Sequence, residues 1–580
     1  MKIKYKKLSL SIIIIIVLSL IATGIIVWKL ASPTEAKAEI AWFISESIET
    51  KEPILLESTY IVSNNEGILE FIHNKETYTL EGNLARNYFG VADILIEDGL
   101  IKKIYAKPNS AEGILLRYTD QDIMLEEESQ KENKDTKDDK VQDINVSIAD
   151  VSKGTGILKR KQVVPVYQVN NNKVTEVDWN SLMVGTSVVK AVMENGQVSA
   201  LIIEKEIVPQ NINVLLTNGE SSVYNKIFVR KVYENTMVDV DEVLKNNNES
   251  YLVLNDKKGL ILCDADQKPM GELYEGELHV FKTKDGLVLV NKLEFETYLK
   301  YVIPSEMPKS FSHEALKAQA VCARTYAYMQ MKNGAYAEYG ANLDDTTNYQ
   351  VYHSFGRYPE TDAAVEETKG EVVLYKGEMI NCYYFSSSAG VTNDFSVWGD
   401  ASCDYIGMRG LEKLEGKDLT KKAQFSEFIN SDFVSNDSKS PYYRWDAVLN
   451  IESEKESEYG KLKSIQVKER NEAGYVIKLL MVYENKERLL TKESDIRKVI
   501  GMYLTETTLS NKETRTNLTM IPSACFEVKE TSDSTIVLRG GGYGHAIGLS
   551  QYGADKLGKD GKTYEEIIKY YYKNVDIGSL

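Results

Sequence analysis

SHEALKAQAVCARTYAYMQM, residues 312–331, is the stretch from which the fold of the larger part of this chain is read. Ser312 suits an N-cap, where a hydroxyl accepts from an unpaired backbone N–H. Glu314 falls in the first turn, where negative charge complements the helix dipole. Leu316, Ala320, Ala323 and Ala327 recur at helical spacing, so the pattern predicts a helix with a thin stripe of small residues that packs close to a sheet. Immediately before it stands YVIPSEMPKS, Tyr301 to Ser310. Glu306 is held there between Pro304 and Pro308, among Val302, Ile303, Met307 and Phe311. Both prolines disfavour helix at the residues just before them, so this segment is expected as a stiff loop. A carboxyl in apolar company has its charged form disfavoured and its pKa raised, which is what a general acid needs near neutral pH. The nearby helix N-terminus pulls the other way. A solvated loop glutamate is the plain alternative.

Strand signals surround this helix. Ile212 to Leu216 reads as a strand, and two hairpins follow. One runs Leu278 to Phe281, Asp285-Gly286, Leu287 to Val290. The other runs Val372 to Tyr375, Lys376-Gly377, Met379 to Phe385. Thr563-Tyr564-Glu565-Glu566 is a capping box that opens a last helix. The class is α+β with strands dominating, over residues 211–576. Upstream, residues 126–143 (EEESQKENKDTKDDKVQD) read as an exposed acidic linker. VADILIEDGLIKKIYAK (Val91 to Lys107) and VVKAVMENGQVSALIIEK (Val188 to Lys205) form an internal repeat. Asp98-Gly99 and Asn195-Gly196 mark matching hairpin turns. Two small β modules, 38–125 and 144–208, are expected on this basis, as spacers or as modules that bind wall or partner.

The chain has 580 residues, 43% hydrophobic and 27% charged, a globular composition long enough for two to four domains. A net charge of -17 argues against a nucleic-acid partner. Lys2, Lys4, Lys6 and Lys7 precede an uncharged apolar run from Leu8 to Trp28. That run matches the roughly 20 residues of a bilayer span and exceeds the apolar core of a signal peptide. Ala36-Lys37-Ala38 passes as a cleavage site, but an uncleaved anchor over residues 1–30 is the preferred reading. The lysines place that end in the cytoplasm and the large C-terminal region outside the cell membrane, as a single-pass protein. Cys263, Cys322, Cys382, Cys403 and Cys525 have no metal or redox spacing and read mostly as buried thiols, with Cys382 and Cys403 a conceivable pair. The five histidines form no metal-ligand pattern either.

Three further stretches carry polar groups. GGGYGHAIGLSQYGA, Gly540 to Ala554, has five glycines in its first nine residues, which implies close backbone approach to something. It lacks the Gly-Lys-Ser/Thr ending of a phosphate loop, and a Gly-rich hairpin is the alternative. SSSAGVT, Ser386 to Thr392, contains no G-x-S-x-G elbow, so a serine hydrolase is not indicated. DDTTNYQVY, Asp344 to Tyr352, is a polar loop with two aromatics.

YLKYVIPSEMP (Tyr298 to Pro308), EALKAQAVCARTYAY (Glu314 to Tyr328), DTTNYQVY (Asp345 to Tyr352), NCYYFSSSAGVT (Asn381 to Thr392) and GYGHAIGLSQYGA (Gly542 to Ala554) resemble, in content and order, the motifs of the SpoIID/LytB family. The resemblance covers roughly residues 211–576. It implies a peptidoglycan lytic transglycosylase, a cell-wall enzyme of sporulation that cleaves the MurNAc–GlcNAc bond without a cofactor. By the S-E-M-P motif it makes Glu306 the catalytic acid. Arg324, Gln350, Tyr352, Ser387, Ser388, His545 and Gln551 are the candidate glycan contacts, and Arg324 or Gln319 is placed to orient the loop or the sugar. Asp344 or Asp345 as a second carboxylate would restore ordinary hydrolysis. Some members of the family bind zinc through Cys and His near the DTT-Q-Y loop. Asn348 and Tyr349 stand here with no cysteine nearby, so no metal is expected. Ala389 and Ala546 occupy positions where glycine is common in the family, and alanine resists positive φ. The implied partners are glycan strands, the membrane and a cell-wall amidase. The alternative to the enzyme is a non-catalytic, glycan-binding enhancer of such an amidase.

Overall fold

The computed structural model describes residues 53–580 except 66–67, 82–87, 108, 127–154, 171–172, 204–207, 220, 353–355, 400–402, 453–454 and 456–457. The expected membrane anchor and nearly all of the acidic linker lie outside the described residues. No helix among the described residues is long and apolar enough to cross a membrane. The chain divides into two compact units, Met1–Ile207 and Val208–Leu580.

Among the described residues, the first unit forms two sheets. One has five strands in the order Glu76–Glu81, Ile68–His73, Ile54–Asn65, Gly90–Glu97, Leu100–Ala106. The other has seven, in the order Lys173–Val177, Val166–Asn170, Gln197–Ile203, Val188–Glu194, Asn109–Tyr118, Asp122–Glu126, Thr155–Lys159. Both halves of the repeat form hairpins. Asp98 (φ 52°) and Gly99 (φ 73°) close the first, and Asn195 (φ 51°) and Gly196 (φ 77°) the second. Two consecutive positive φ angles are what a type I′ turn requires, and these residue types tolerate them. The sheets do not part at the acidic linker. Asn109–Tyr118, on its N-terminal side, pairs with Val188–Glu194 on its C-terminal side. The repeats also share a core, in which Ile72 and Val91 pack with Tyr167, Val192, Ala200 and Ile202. At their joint Lys107 is buried and reaches Asp93 at 2.6 Å and Glu194 at 2.6 Å. A buried ammonium needs such partners to offset its desolvation.

The second unit is the α+β part. Its leading sheet runs Tyr251–Asn255, Glu277–Lys282, Leu287–Glu294, Asn211–Leu216, Leu343–Asp344. The first expected hairpin is its Glu277–Lys282/Leu287–Glu294 pair. Leu287–Glu294 feeds directly into the helix Phe295–Glu306, and the long helix His313–Met331 follows. Ser312 caps the latter, its hydroxyl accepting from the Ala315 N–H. The stripe of small residues is buried, and the helix packs on Pro359–Glu367, Gln551–Lys559, Tyr564–Tyr571 and the strand Glu371–Tyr375. Thr563 and Glu566 form the expected capping box.

Two expectations are corrected. The segment around Glu306 is not a loop. Pro304 lies inside the helix Phe295–Glu306, and Glu306 is its last residue. Proline costs a helix one N–H donor, and in the last turn that loss is confined to a single bond. The helix ends at Met307 (φ -135°, ψ 133°), extended as a residue before proline prefers. The second hairpin also stops early. Glu371–Tyr375 pairs with Glu378–Met379 only, and Tyr384–Phe385 crosses to pair in parallel with Leu549–Ser550. That crossing brings the SSSAG and GYGH stretches together.

Candidate active site

Glu306 sits where the ends of three elements meet. Its own helix delivers it. The loop after Leu343–Asp344 brings Val351, whose N–H donates to Glu306 Oε1 at 2.8 Å. The helix Gln551–Lys559 brings Gln551, whose side chain also hydrogen-bonds the carboxyl. Glu306 keeps partial solvent exposure, as a group that meets a substrate must. Protein nevertheless crowds it, and Val302, Ile303 and Met307 beside it are buried. Desolvation pushes its pKa up to about 7, against the opposing pull of the Val351 and Gln551 hydrogen bonds. Burial therefore prevails over the donors that favour the anion.

This shift has a stability consequence of definite sign. An unfolded carboxyl titrates near 4.5, so between there and 7 the folded state holds the extra proton. Stability falls as pH rises through that window, because the folded chain must then carry a desolvated anion. At about 1.4 kcal/mol per pH unit the cost reaches about 3 kcal/mol above pH 7, less what the exposed edge recovers from water. Glu306→Gln is expected to raise the melting temperature at pH 8 and to leave it nearly unchanged at pH 4. Equal effects at both pH values would mean that the carboxyl is not desolvated.

The structure redistributes most of the other candidates. Arg324 is fully buried and grips Glu296 through Nε (2.8 Å) and Nη2 (2.7 Å), and its guanidinium also reaches the Glu371 and Val365 carbonyls. It is a packing residue and not a glycan contact. Gln350 is fully buried: its amide donates to the Ala323 carbonyl and the Tyr384 hydroxyl, and it accepts from the Tyr298 hydroxyl. It fixes the backbone from which Val351 reaches Glu306. Tyr352 is buried, bonds Asn291 at 2.7 Å and packs against Tyr298 and Tyr301. Ser387 pairs with Ser440, and Ser388 donates to Asp437 at 2.9 Å, both out of solvent. These four, like Arg324, support the site from within. Of the candidates, Gln551 lies against Glu306, and Glu306 and His545 keep partial solvent exposure.

His545 keeps partial exposure, but its nitrogens are engaged. Nδ1 accepts from the Ile547 N–H at 3.0 Å, and the ring donates to the Tyr384 carbonyl. Burial drives its pKa down to about 3, so it is neutral at physiological pH. It offers a ring and no proton. Gln319 is fully buried with neither amide atom partnered, and nothing in the structure satisfies it.

The two acidic alternatives to a single-carboxylate site are occupied. Asp344 accepts from Thr346 N–H and hydroxyl, the Tyr336 hydroxyl and the Asn348 amide. Asp345 accepts from the Thr217 hydroxyl at 2.7 Å and from its N–H. Desolvation also raises its pKa. Asn348 is thus spent on Asp344, and Tyr349 packs on Tyr336. Among the described residues no group of three His, Cys, Asp or Glu is placed to hold a metal.

The glycine-rich stretch makes its close approaches to the protein itself. A Cβ on Gly542 (φ 82°) would meet the Ser387 carbonyl at 2.8 Å, and one on Gly548 (φ 80°) the Tyr383 carbonyl at 2.0 Å. Ala546 adopts φ 62° despite its side chain, at a cost of roughly 1–2 kcal/mol. The Asn393 N–H, bonded to its carbonyl at 2.6 Å, helps hold it there. Asp437 was invisible in the sequence, where it reads as one more polar residue in a serine-rich turn. It is buried, and it ties Ser388 of one motif to Ser550, the N-cap of the Gln551 helix. Cys263, Cys322, Cys382 and Cys525 are buried thiols, Cys403 is half-buried, and none forms a disulfide.

A family model described as Stage II sporulation protein matches residues 283–375, which include Glu306 and the long helix. A second, described only as a domain of unknown function, matches residues 396–548. An uncharacterized protein of Brachyspira hyodysenteriae is 27% identical over 64% of this chain and 89% of its own length. The amidase enhancer of Bacillus subtilis is 32% identical over 48% of this chain, which spans only 40% of that protein. Stage II sporulation protein D of Bacillus subtilis is 28% identical over 50% of this chain and 75% of its own length. The matched domain and these relatives place the chain in the SpoIID/LytB family.

Proposed function

We propose that this protein is a membrane-anchored peptidoglycan lytic transglycosylase of the cell wall, acting in sporulation and using Glu306 as its single catalytic carboxylate. The observation that carries the reading is Glu306 itself: accessible, desolvated and titrating near 7, while Asp344 and Asp345 are bound up in hydrogen bonds. A carboxyl with that pKa populates both forms at neutral pH, so it can serve as acid and then as base. Protonated Glu306 gives its proton to the glycosidic oxygen as the bond to the anomeric carbon breaks. The carboxylate then takes the proton of the same sugar's 6-hydroxyl, whose oxygen closes on the anomeric carbon. The products are a new chain end and a 1,6-anhydro sugar, with no water consumed. The apolar run at residues 8–28 would hold the enzyme at the membrane with its catalytic part outside.

The test is to incubate the protein with peptidoglycan and with peptide-stripped glycan strands and to read the released ends by mass spectrometry. Anhydro-muramic ends are expected. Reducing ends would indicate hydrolysis and a second carboxylate. Binding without cleavage of either substrate would favour the second reading, a glycan-binding enhancer of a cell-wall amidase, which the amidase-enhancer relative supports.

Gln551 supplies a prediction of its own. Its hydrogen bond favours the anion, so Gln551→Leu is expected to raise the Glu306 pKa further. The alkaline limb of the pH–rate profile should move to higher pH while the maximal rate falls. A fall in rate with no movement of that limb would show that Gln551 acts elsewhere.

A further inference from the structure

The short turn Phe395–Trp398, its N-cap provided by Asp394 accepting from the Ser396 N–H at 3.1 Å, sets two rings in a stack. Their centroids are 5.5 Å apart and their planes 22° from parallel. Tyr383 meets Trp398 edge-on at 5.0 Å and Phe395 at 5.8 Å. The neutral His545 ring backs Trp398 at 5.3 Å. From here a path of contacts leads to the acid. Tyr383 meets Tyr326 at 5.8 Å, and Tyr326 meets Tyr384 at 6.3 Å. The Tyr384 hydroxyl holds Gln350, and the next residue, Val351, holds Glu306.

Tyr326, Tyr383, Phe395 and Trp398 all keep part of their surface in solvent. Trp445 of the same unit, by contrast, is fully buried. Contiguous half-exposed rings mark a binding face. Asp394 turns its Oδ1 inward, to the Ser396 N–H and hydroxyl of its own turn. Aromatic faces with hydroxyl tips suit a ligand that is apolar on one side and rich in hydroxyls at its rim. We propose that Trp398, Phe395 and Tyr383 form a stacking subsite for the C–H face of a pyranose ring flanking the bond that Glu306 attacks. This rests on the glycan-cleaving reading above, but its test does not require turnover.

The full chain carrying Glu306→Gln would be titrated calorimetrically with tetra-N-acetylchitotetraose and with peptide-free glycan strands. Adding Trp398→Ala is expected to weaken binding about tenfold, the scale of one aromatic contact. Trp398→Phe should restore most of it, at unchanged melting temperature in both variants. Equal affinities in all three proteins would overturn the subsite and leave the glycan reading standing. No binding by the Glu306→Gln parent would overturn both. Trp398-dependent binding in a wild-type chain that never cleaves would uphold the subsite and remove the transglycosylase.

Discussion

Glu306→Gln is expected to lower glycan cleavage by about a hundred- to ten-thousand-fold, the range that a positioned general acid supplies. Glutamine fills the same space, and its oxygen can still accept from the Val351 N–H, so the end of the helix should stay in place. What it lacks is the transferable proton. The loss should appear in turnover and not in affinity for the glycan, because the proton is needed only as the bond breaks. In the wild-type protein the rate should fall as pH climbs past about 7, where the acid form is lost. A variant that still released anhydro ends at more than a tenth of the wild-type rate would exclude Glu306 as the acid. Asp345, whose burial also raises its pKa, would be the next residue to replace.

The residues that the sequence announces are those whose role depends on neighbours along the chain. Asp98-Gly99 and Asn195-Gly196 are hairpin turns because a type I′ turn is a two-residue property. The helix His313–Met331 follows from its own periodicity and cap. Glu306 stands out because its apolar neighbours precede and follow it directly. Four polar candidates are satisfied inside the protein for the converse reason. Arg324 finds Glu296 28 positions away, Ser387 finds Ser440 53 away, Ser388 finds Asp437 49 away and Tyr352 finds Asn291 61 away. A motif shows that a polar group is wanted, but only the fold shows whether protein or ligand satisfies it. Pro304 and Ala546 are two places where tertiary packing overrides a local backbone rule. Both lie in the motifs nearest the acid, where strain held by surrounding structure is common. Trp398 went unnoticed because a lone tryptophan has no signature; its meaning comes from rings contributed by Tyr383 and His545.

Arg324→Ala is expected to destabilise the C-terminal unit by about 3–5 kcal/mol, the usual result of removing one partner from a buried ion pair. The bidentate grip on Glu296 is out of water, so deletion strands a carboxylate that cannot be solvated in place. It also leaves the Glu371 and Val365 carbonyls short of a donor and opens a void beside the long helix. Lysine would not rescue the site, since a single ammonium cannot reproduce the fork of hydrogen bonds. Replacing both partners, Arg324→Met with Glu296→Leu, removes the desolvated charges together and should recover much of the loss. Urea unfolding followed through the buried Trp445 reads the effect in the unit concerned. A glycan-binding arginine would behave in the opposite way. Its alanine variant would unfold at the wild-type midpoint, bind glycan strands more weakly, and gain nothing from a change at Glu296. That pattern would return Arg324 to the substrate groove, whereas a destabilised single variant repaired by the double one would fix it as the clamp that holds the acid-bearing helix against its neighbour.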